Sequence, residues 1–266
     1  MNPAATSFAN IPTFVVQKQI WEERNYGFFL DCLRNYGTVL EVEVVPFTDQ
    51  LVPEISDRPD FVLGSGRLVD IARKRGWPTF ESFSPNLDDI VDSGHLLNGV
   101  SKKMKISELG QLNARCVFVK PLREKLFTGL VIVPADLEEK AFDSLVQCST
   151  THVNNLQEEM VYVSEPVNIT KEYRFFVFQN KIAAGSSYGR TSANGYERIN
   201  QDHYLWGMTQ SLIDSFKREI TGTVDVTLHQ GEVKIIELNN LNSAGVYECD
   251  PDAIARSFVR LKLISE

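Results

Sequence analysis

The sequence predicts a mixed α/β protein, and three observations carry that expectation. Residues 13–75 alternate strand, turn and helix, the later half is rich in two-residue apolar alternation, and a polar-bearing β-hairpin sits near the end. The segment TFVVQK at 13–18 reads as a short buried strand. Residues 22–36 follow with a helical pattern, placing Phe28, Phe29, Cys32 and Leu33 on one side and Gly37 as the stop. A second strand spans Val39 to Phe47. A third, Asp60 to Leu63, leads through Gly64-Ser65-Gly66 into a helix from Arg67 to Arg75. Strand-helix-strand alternation of this kind builds a small parallel sheet with crossover helices. The Gly-Ser-Gly step is either a simple tight turn or a phosphate-binding helix start.

Pro78 and Pro85 interrupt the chain, and Pro85-Asn86 marks the expected boundary of a first unit over residues 1–85. Residues 86–112 read as partly helical, ending in KKMKISELG. The strand RCVFVKP then carries Lys120 at its end. Arg123, Lys125 and the turn Phe127-Thr128-Gly129 precede another strand from Leu130 to Val133, so the expectation is a hairpin with a basic, glycine-containing loop. Lys120 alone reads equally as a solvated strand-end lysine. Clustered with Arg123 and Lys125 in an acidic chain, it makes a local anion site. A short helix is expected at 138–147, closing a second unit over 86–160.

The third unit, 161–266, begins within the strand EMVYVSEPVNI and continues through Glu172–Phe178, a turn at Gln179–Lys181 and IAAGSSY. Residues 194–204 are polar and turn-rich, 205–219 are amphipathic, and a helix is expected near 251–262. Between these lies VDVTLHQGEVKIIELNNLNSAG, in which Val224, Val226 and Leu228 alternate with Asp225 and Thr227. After Gln230-Gly231 a second apolar run carries Glu237 and Asn239. Residues two apart on a strand share a face, so Glu237 and Asn239 point the same way, and hairpin pairing can bring Asp225 beside them. Two carboxylates and an amide oxygen on one face suit magnesium, which takes few protein ligands and keeps positions for water and phosphate. The competing reading is the solvated side of a surface hairpin.

Composition narrows the classes. The 266 residues carry a formal net charge of -8, which argues against a generic nucleic-acid binder. Cys32, Cys116, Cys148 and Cys249 are widely separated and, with four scattered histidines, offer no zinc spacing. The amino-terminal MNPAATSFANIP lacks a basic start followed by an apolar core, and no apolar run reaches membrane-span length. A cytoplasmic, reduced, soluble α/β protein is expected.

FVKP, SEPVNITKEYRFFV and VDV…IIELNN, in that order, resemble the ATP-grasp superfamily, and in particular a compact, often phage-associated branch of it. The resemblance covers roughly residues 86–260 and is most specific in the final hairpin. It implies two lobes gripping ATP, preceded by a small Rossmann-like βαβ domain. It implies an ATP-dependent carboxylate–amine ligase working through an acyl-phosphate. Lys120 and Lys125 would contact ATP phosphates, Glu165, Pro166 and Val167 would form the hinge against adenine, and Glu172 would bind the ribose. Asp225, Glu237 and Asn239 would hold one or two magnesium ions. Arg190 would meet the γ-phosphate, with Arg174 pointing into the same region. Glu172 and Arg174 also read as a surface ion pair, and Asn242 and Ser243 resemble the loop on the substrate side. Many relatives carry arginine two positions before the first metal acid; Thr223 stands there, and Arg190 could replace its charge. An upstream phosphate lysine is one of Lys102, Lys103 or Lys105. A nucleotide-binding relative without ligase activity, and a phosphotransferase of the same fold, are the alternatives.

Overall fold

The computed structural model describes residues 11–18, 26–80, 87–99, 101–122, 126–136, 156–188 and 196–265. The expected helix at 138–147, together with Arg123, Lys125 and Arg190, lies outside them.

The first sheet is built from β1 (Thr13–Gln17), β2 (Thr38–Val44), β3 (Leu51–Val52) and β4 (Phe61–Leu63), in the order β3-β2-β1-β4. Strand β1 pairs in parallel with both β2 and β4, as the alternation requires, whereas the two-residue β3 adds an antiparallel edge that no sequence period signals. Helices α1 (Tyr26–Tyr36) and α2 (Gly66–Lys74) cover opposite faces. Phe14 and Val16 join Phe29 and Leu33 of α1 in one core; Val15 turns the other way into a core with Leu68, Ile71 and Ala72 of α2. The Gly-Ser-Gly step resolves into a capped turn. Ser65 accepts from the Leu68 amide, while its own amide and hydroxyl both donate to Gln17 Oε1.

A connecting stretch holds the one-turn helix α3 (Leu87–Ile90) and packs on the last sheet rather than the middle one. Ile90 and Val91 are buried there, and the Leu97 amide donates to the Ile235 carbonyl at 2.8 Å. The middle sheet is antiparallel and ordered β5-β8-β6-β7, from β5 (Lys102–Lys105), β6 (Val117–Pro121), β7 (Leu130–Ile132) and β8 (Met160–Ser164). KKMK, read from sequence as the end of a helical stretch, is therefore an edge strand. Its pairing with β8 decides its conformation, because its exposed lysines carry no two-residue apolar signal. Along β6 and β8, Val117, Val119, Val161 and Val163 face a core with Ile106, Leu109, Leu126 and Phe127. Phe118, Lys120, Tyr162 and Ser164 alternate onto the opposite face.

The third sheet is β11-β10-β9-β12-β13, built from β9 (Glu172–Phe178), β10 (Lys181–Tyr188), β11 (Glu197–Ile199), β12 (Gly222–His229) and β13 (Glu232–Asn239). Strand β11 lies in the stretch that its polar residues mark as turn-rich. Gln230 and Gly231 both take positive φ, 53° and 83°, the turn that suits a twisted two-residue hairpin. Helix α4 (Tyr204–Asp214) covers one face, with Leu205, Leu212 and Ile213 against Phe175, Val177 and Val226. Helix α5 (Pro251–Ser265) covers the other. Its Phe258 stacks edge-on against Phe14 of β1 and Phe178 of β9, so one aromatic core joins the first sheet to the last. No helix among the described residues is long and apolar enough to cross a membrane.

Candidate functional site

Strand register assembles the site. Ser186 of β10 pairs with Arg174 of β9, Arg174 with Asp225 of β12, and Asp225 with Glu237 of β13, so one rung across four strands carries an arginine and two acids. Neighbours on a rung share a face and meet at side-chain distance. A bulge follows immediately, with Asp225 opposite Glu237 but Val226 opposite Ile235. The extra residue, Ile236, turns toward the cleft described below, and such bulges re-aim side chains.

The hairpin expectation holds in geometry: Asn239 Nδ2 donates to Glu237 Oε1 at 2.9 Å and to Asp225 Oδ2 at 3.3 Å. Each acid also has a basic partner. Arg174 grips Asp225 with two parallel bonds, Nε to Oδ1 at 2.8 Å and Nη2 to Oδ2 at 2.6 Å, and reaches the Gly245 carbonyl at 3.3 Å. Lys120 crosses from β6 of the middle sheet to Glu237 Oε2 at 2.9 Å. The Tyr188 hydroxyl donates to Asp225 Oδ2 at 3.1 Å.

Burial separates the two acids. Asp225 is fully buried, and that desolvation pushes its carboxyl up to about 6; Arg174 pulls it down, while the Glu237 charge adds to the rise. Burial also opposes the charge of Glu237, but Lys120, Asn239 and Arg174 outweigh it and bring the group down to about 2. Burial likewise disfavours the Arg174 charge, and the Asp225 carboxylate overcomes this and holds the guanidinium protonated.

Beside the rung, a cleft opens between the polar face of the middle sheet and β13. Phe118, Lys120, Tyr162 and Ser164 line one wall, Ile236 and Leu238 the other, and Asp88 and Asn98 also line it. Lys103 stands over the Tyr162 ring at 5.1 Å and pairs with Asp88 at 3.3 Å, so of the three candidate upstream lysines it is the one joined to cleft-lining residues. Lys105 is engaged with Glu158, and Lys102 is exposed. Glu165, exposed, and the half-buried Pro166 and Val167 leave β8 directly after Ser164. Glu172 opens β9 opposite Tyr188.

Residues 100–257 match a family model of the ATP-grasp domain, the second family of one ATP-grasp clade, over more than half of the chain. The chain belongs to this family. Its fold is shared by many solved structures. D-alanine–D-alanine ligase from Bacillus anthracis, complexed with ATP, matches with a TM-score of 0.52 and 12% identity, over 97% of this chain and 98% of that one. A RimK domain protein of ATP-grasp type from Sphaerobacter thermophilus matches with a TM-score of 0.55 and 13% identity, over 93% and 98%. No curated protein matches the chain.

The ATP-grasp chain thus brings Lys120, Glu237, Asn239, Asp225 and Arg174 together. Arg174, expected to point into the region of Arg190, is 7% exposed and bonds to Asp225 and the Gly245 carbonyl. It stands one strand away from Thr223, on the rung of Asp225. Thr223 itself is buried, with its hydroxyl unpartnered among the described residues. Asn242, expected on the substrate side, is fully buried; it accepts from the Phe80 amide at 2.8 Å and donates to the Val62 carbonyl at 2.7 Å. The tyrosines at 188, 196 and 247 were missed, because sequence spacing gives no sign that residues so far apart stack together.

Proposed function

We propose that the cleft binds magnesium-ATP and that the protein joins a carboxylate to an amine through an acyl-phosphate. The observation that carries this reading is the contact of Lys120 with Glu237 across the cleft, where Asp225 stands on the same rung and Asn239 bonds to both acids. A cation-holding set and a phosphate-binding lysine then lie within one side-chain length of each other. Among the described residues no three acids, histidines or cysteines gather into a metal cluster. The oxygen donor set of two carboxylates and one amide still fits magnesium, which binds through one or two carboxylates and substrate phosphates. The facing charges of Asp225 and Glu237, which help raise Asp225, are what a divalent ion would neutralise.

Asp225, Glu237 and Asn239 would hold magnesium, whose positive charge would offset the negative charge on the transferring phosphoryl group. The chain supplies the rest. Lys120, released from Glu237, turns its ammonium to the phosphates, and Lys103 reaches them from the edge strand. Arg174 stays on Asp225, keeping that acid ionised and aimed; Arg190 remains the proposed γ-phosphate contact and Lys125 a second phosphate lysine. The Glu165–Val167 backbone reads the purine edge, and Glu172 accepts from the ribose. Phe118, Ile236 and Leu238 make the walls apolar, which keeps water from the mixed anhydride.

The test is ADP release with panels of carboxylates and amines, followed by mass spectrometry of the product. An amide is expected. Glu237→Ala and Asn239→Ala should abolish turnover while circular dichroism stays unchanged. A stable phosphorylated product would replace the ligase reading with a phosphotransferase, and no nucleotide binding by calorimetry would end both.

A further inference from the structure

Three tyrosines distant in sequence meet at the end of the rung away from Lys120. The Tyr247 ring stacks on Tyr188 at 4.9 Å and 13°, and on Tyr196 at 5.3 Å and 11°, so Tyr247 is the middle of a three-ring ladder. Its inner end is tied to the acids: Tyr188 donates to Asp225, and the Arg174 guanidinium lies 5.3 Å from the Tyr188 centroid and 4.9 Å from that of Tyr247. Tyr247 holds φ at 49°, a left-handed conformation that a bulky residue keeps only where the surroundings impose it. The strain sets the middle ring between the other two. The outer ring, Tyr196, is 51% exposed.

We propose that this ladder seats the amine substrate and selects one bearing a cationic side group, a guanidinium or a second ammonium, against the open face of Tyr196. The inference rests on the ligase reading above and names the substrate class for it. Tyrosine ring faces are electron-rich and attract cations, and the inner rings already hold the guanidinium of Arg174. An acid flanks the ladder: half-buried Glu248 follows Tyr247. With a net charge of -8 the chain also draws cations toward it. Arg198, opposite Ser186 at this end of the rung, donates its Nε to the Glu248 carbonyl at 3.2 Å, and a carboxylate substrate belongs toward Lys120.

Arginine amide and its uncharged isostere citrulline amide separate charge from shape. Both are titrated by calorimetry into the full chain loaded with magnesium and a non-hydrolysable ATP analogue. Arginine amide should bind more tightly than citrulline amide. Tyr196→Leu should weaken arginine amide by about two- to five-fold, the range for an exposed cation–π contact, leave citrulline amide unmoved and preserve affinity for the nucleotide analogue. Tyr196→Phe should retain the preference. Equal binding of the two amides, no arginine amide binding to a nucleotide-loaded chain, or an unchanged preference in Tyr196→Leu would overturn the assignment. Each of these leaves the ligase reading standing; failure of the analogue to bind removes that reading itself.

Discussion

Replacing Arg174 with leucine would strand the Asp225 carboxylate. Asp225 has no exposed surface, and Arg174 supplies two of its charge-assisted hydrogen bonds, at 2.8 and 2.6 Å. Breaking a buried pair by removing one partner costs about 3–5 kcal/mol, because the remaining charge is left in a poor solvent. Whole domains are stable by only about 5–15 kcal/mol, so the loss is large on that scale. Urea denaturation followed by far-ultraviolet dichroism measures it. Adding Asp225→Leu to Arg174→Leu should restore most of the stability, since both ends of the pair are then apolar. The direction with pH is also fixed. The folded-state value of Asp225 already lies above its ordinary value, at about 6, so its contribution is complete below about 4 and is lost as pH rises through 6. Without Arg174 that value climbs further, and the deficit of the single variant should shrink on acidification from pH 7 to 5. A single-variant loss below about 1 kcal/mol, the scale of an exposed pair, would refute the reasoning.

Turnover should fall as pH drops below about 6, where Asp225 takes up a proton and loses its capacity to hold a cation, and raising magnesium should move the midpoint lower; rate profiles at two magnesium concentrations check this. Lys120→Ala should reduce affinity for a magnesium–ATP analogue by at least about tenfold in calorimetry, with little change in melting temperature because the Lys120–Glu237 pair is partly solvated. Gly129→Ala should destabilise the middle sheet by about 1–3 kcal/mol in urea, since the new Cβ falls 2.5 Å from Phe118 Cζ. Phe118→Leu in the same chain should relieve that loss.

The final hairpin was legible because two signals agree there: apolar residues alternate along the first strand and recur in the second, and Gln230-Gly231 supplies the turn. From these the shared face of Glu237 and Asn239 follows, but counting back from the turn sets Asp225 opposite Ile236, and only the bulge brings it to Glu237. The parallel core of the first sheet was legible for the same reason. What stayed hidden depends on pairing between segments that no local pattern records. KKMK becomes a strand because β8 offers it an edge. The Arg174–Asp225 grip depends on β9 lying beside β12, 51 residues later. The tyrosine ladder gathers residues 188, 196 and 247 from three separate segments.

Asn242 gives the first 80 residues an unexpected bearing on chemistry that none of their side chains performs. Three residues after the amide of Asn239, it is fastened to backbone groups of Val62 and Phe80, while the Gly64 amide holds its carbonyl at 2.6 Å. A shortened protein starting beyond Phe80 would keep every proposed ligand yet leave the strand end that carries Asn239 without its mooring. Grafting this catalytic half onto a foreign partner domain would therefore need a matching carbonyl and two amides at that seam, however well the rest of the surface was made to fit.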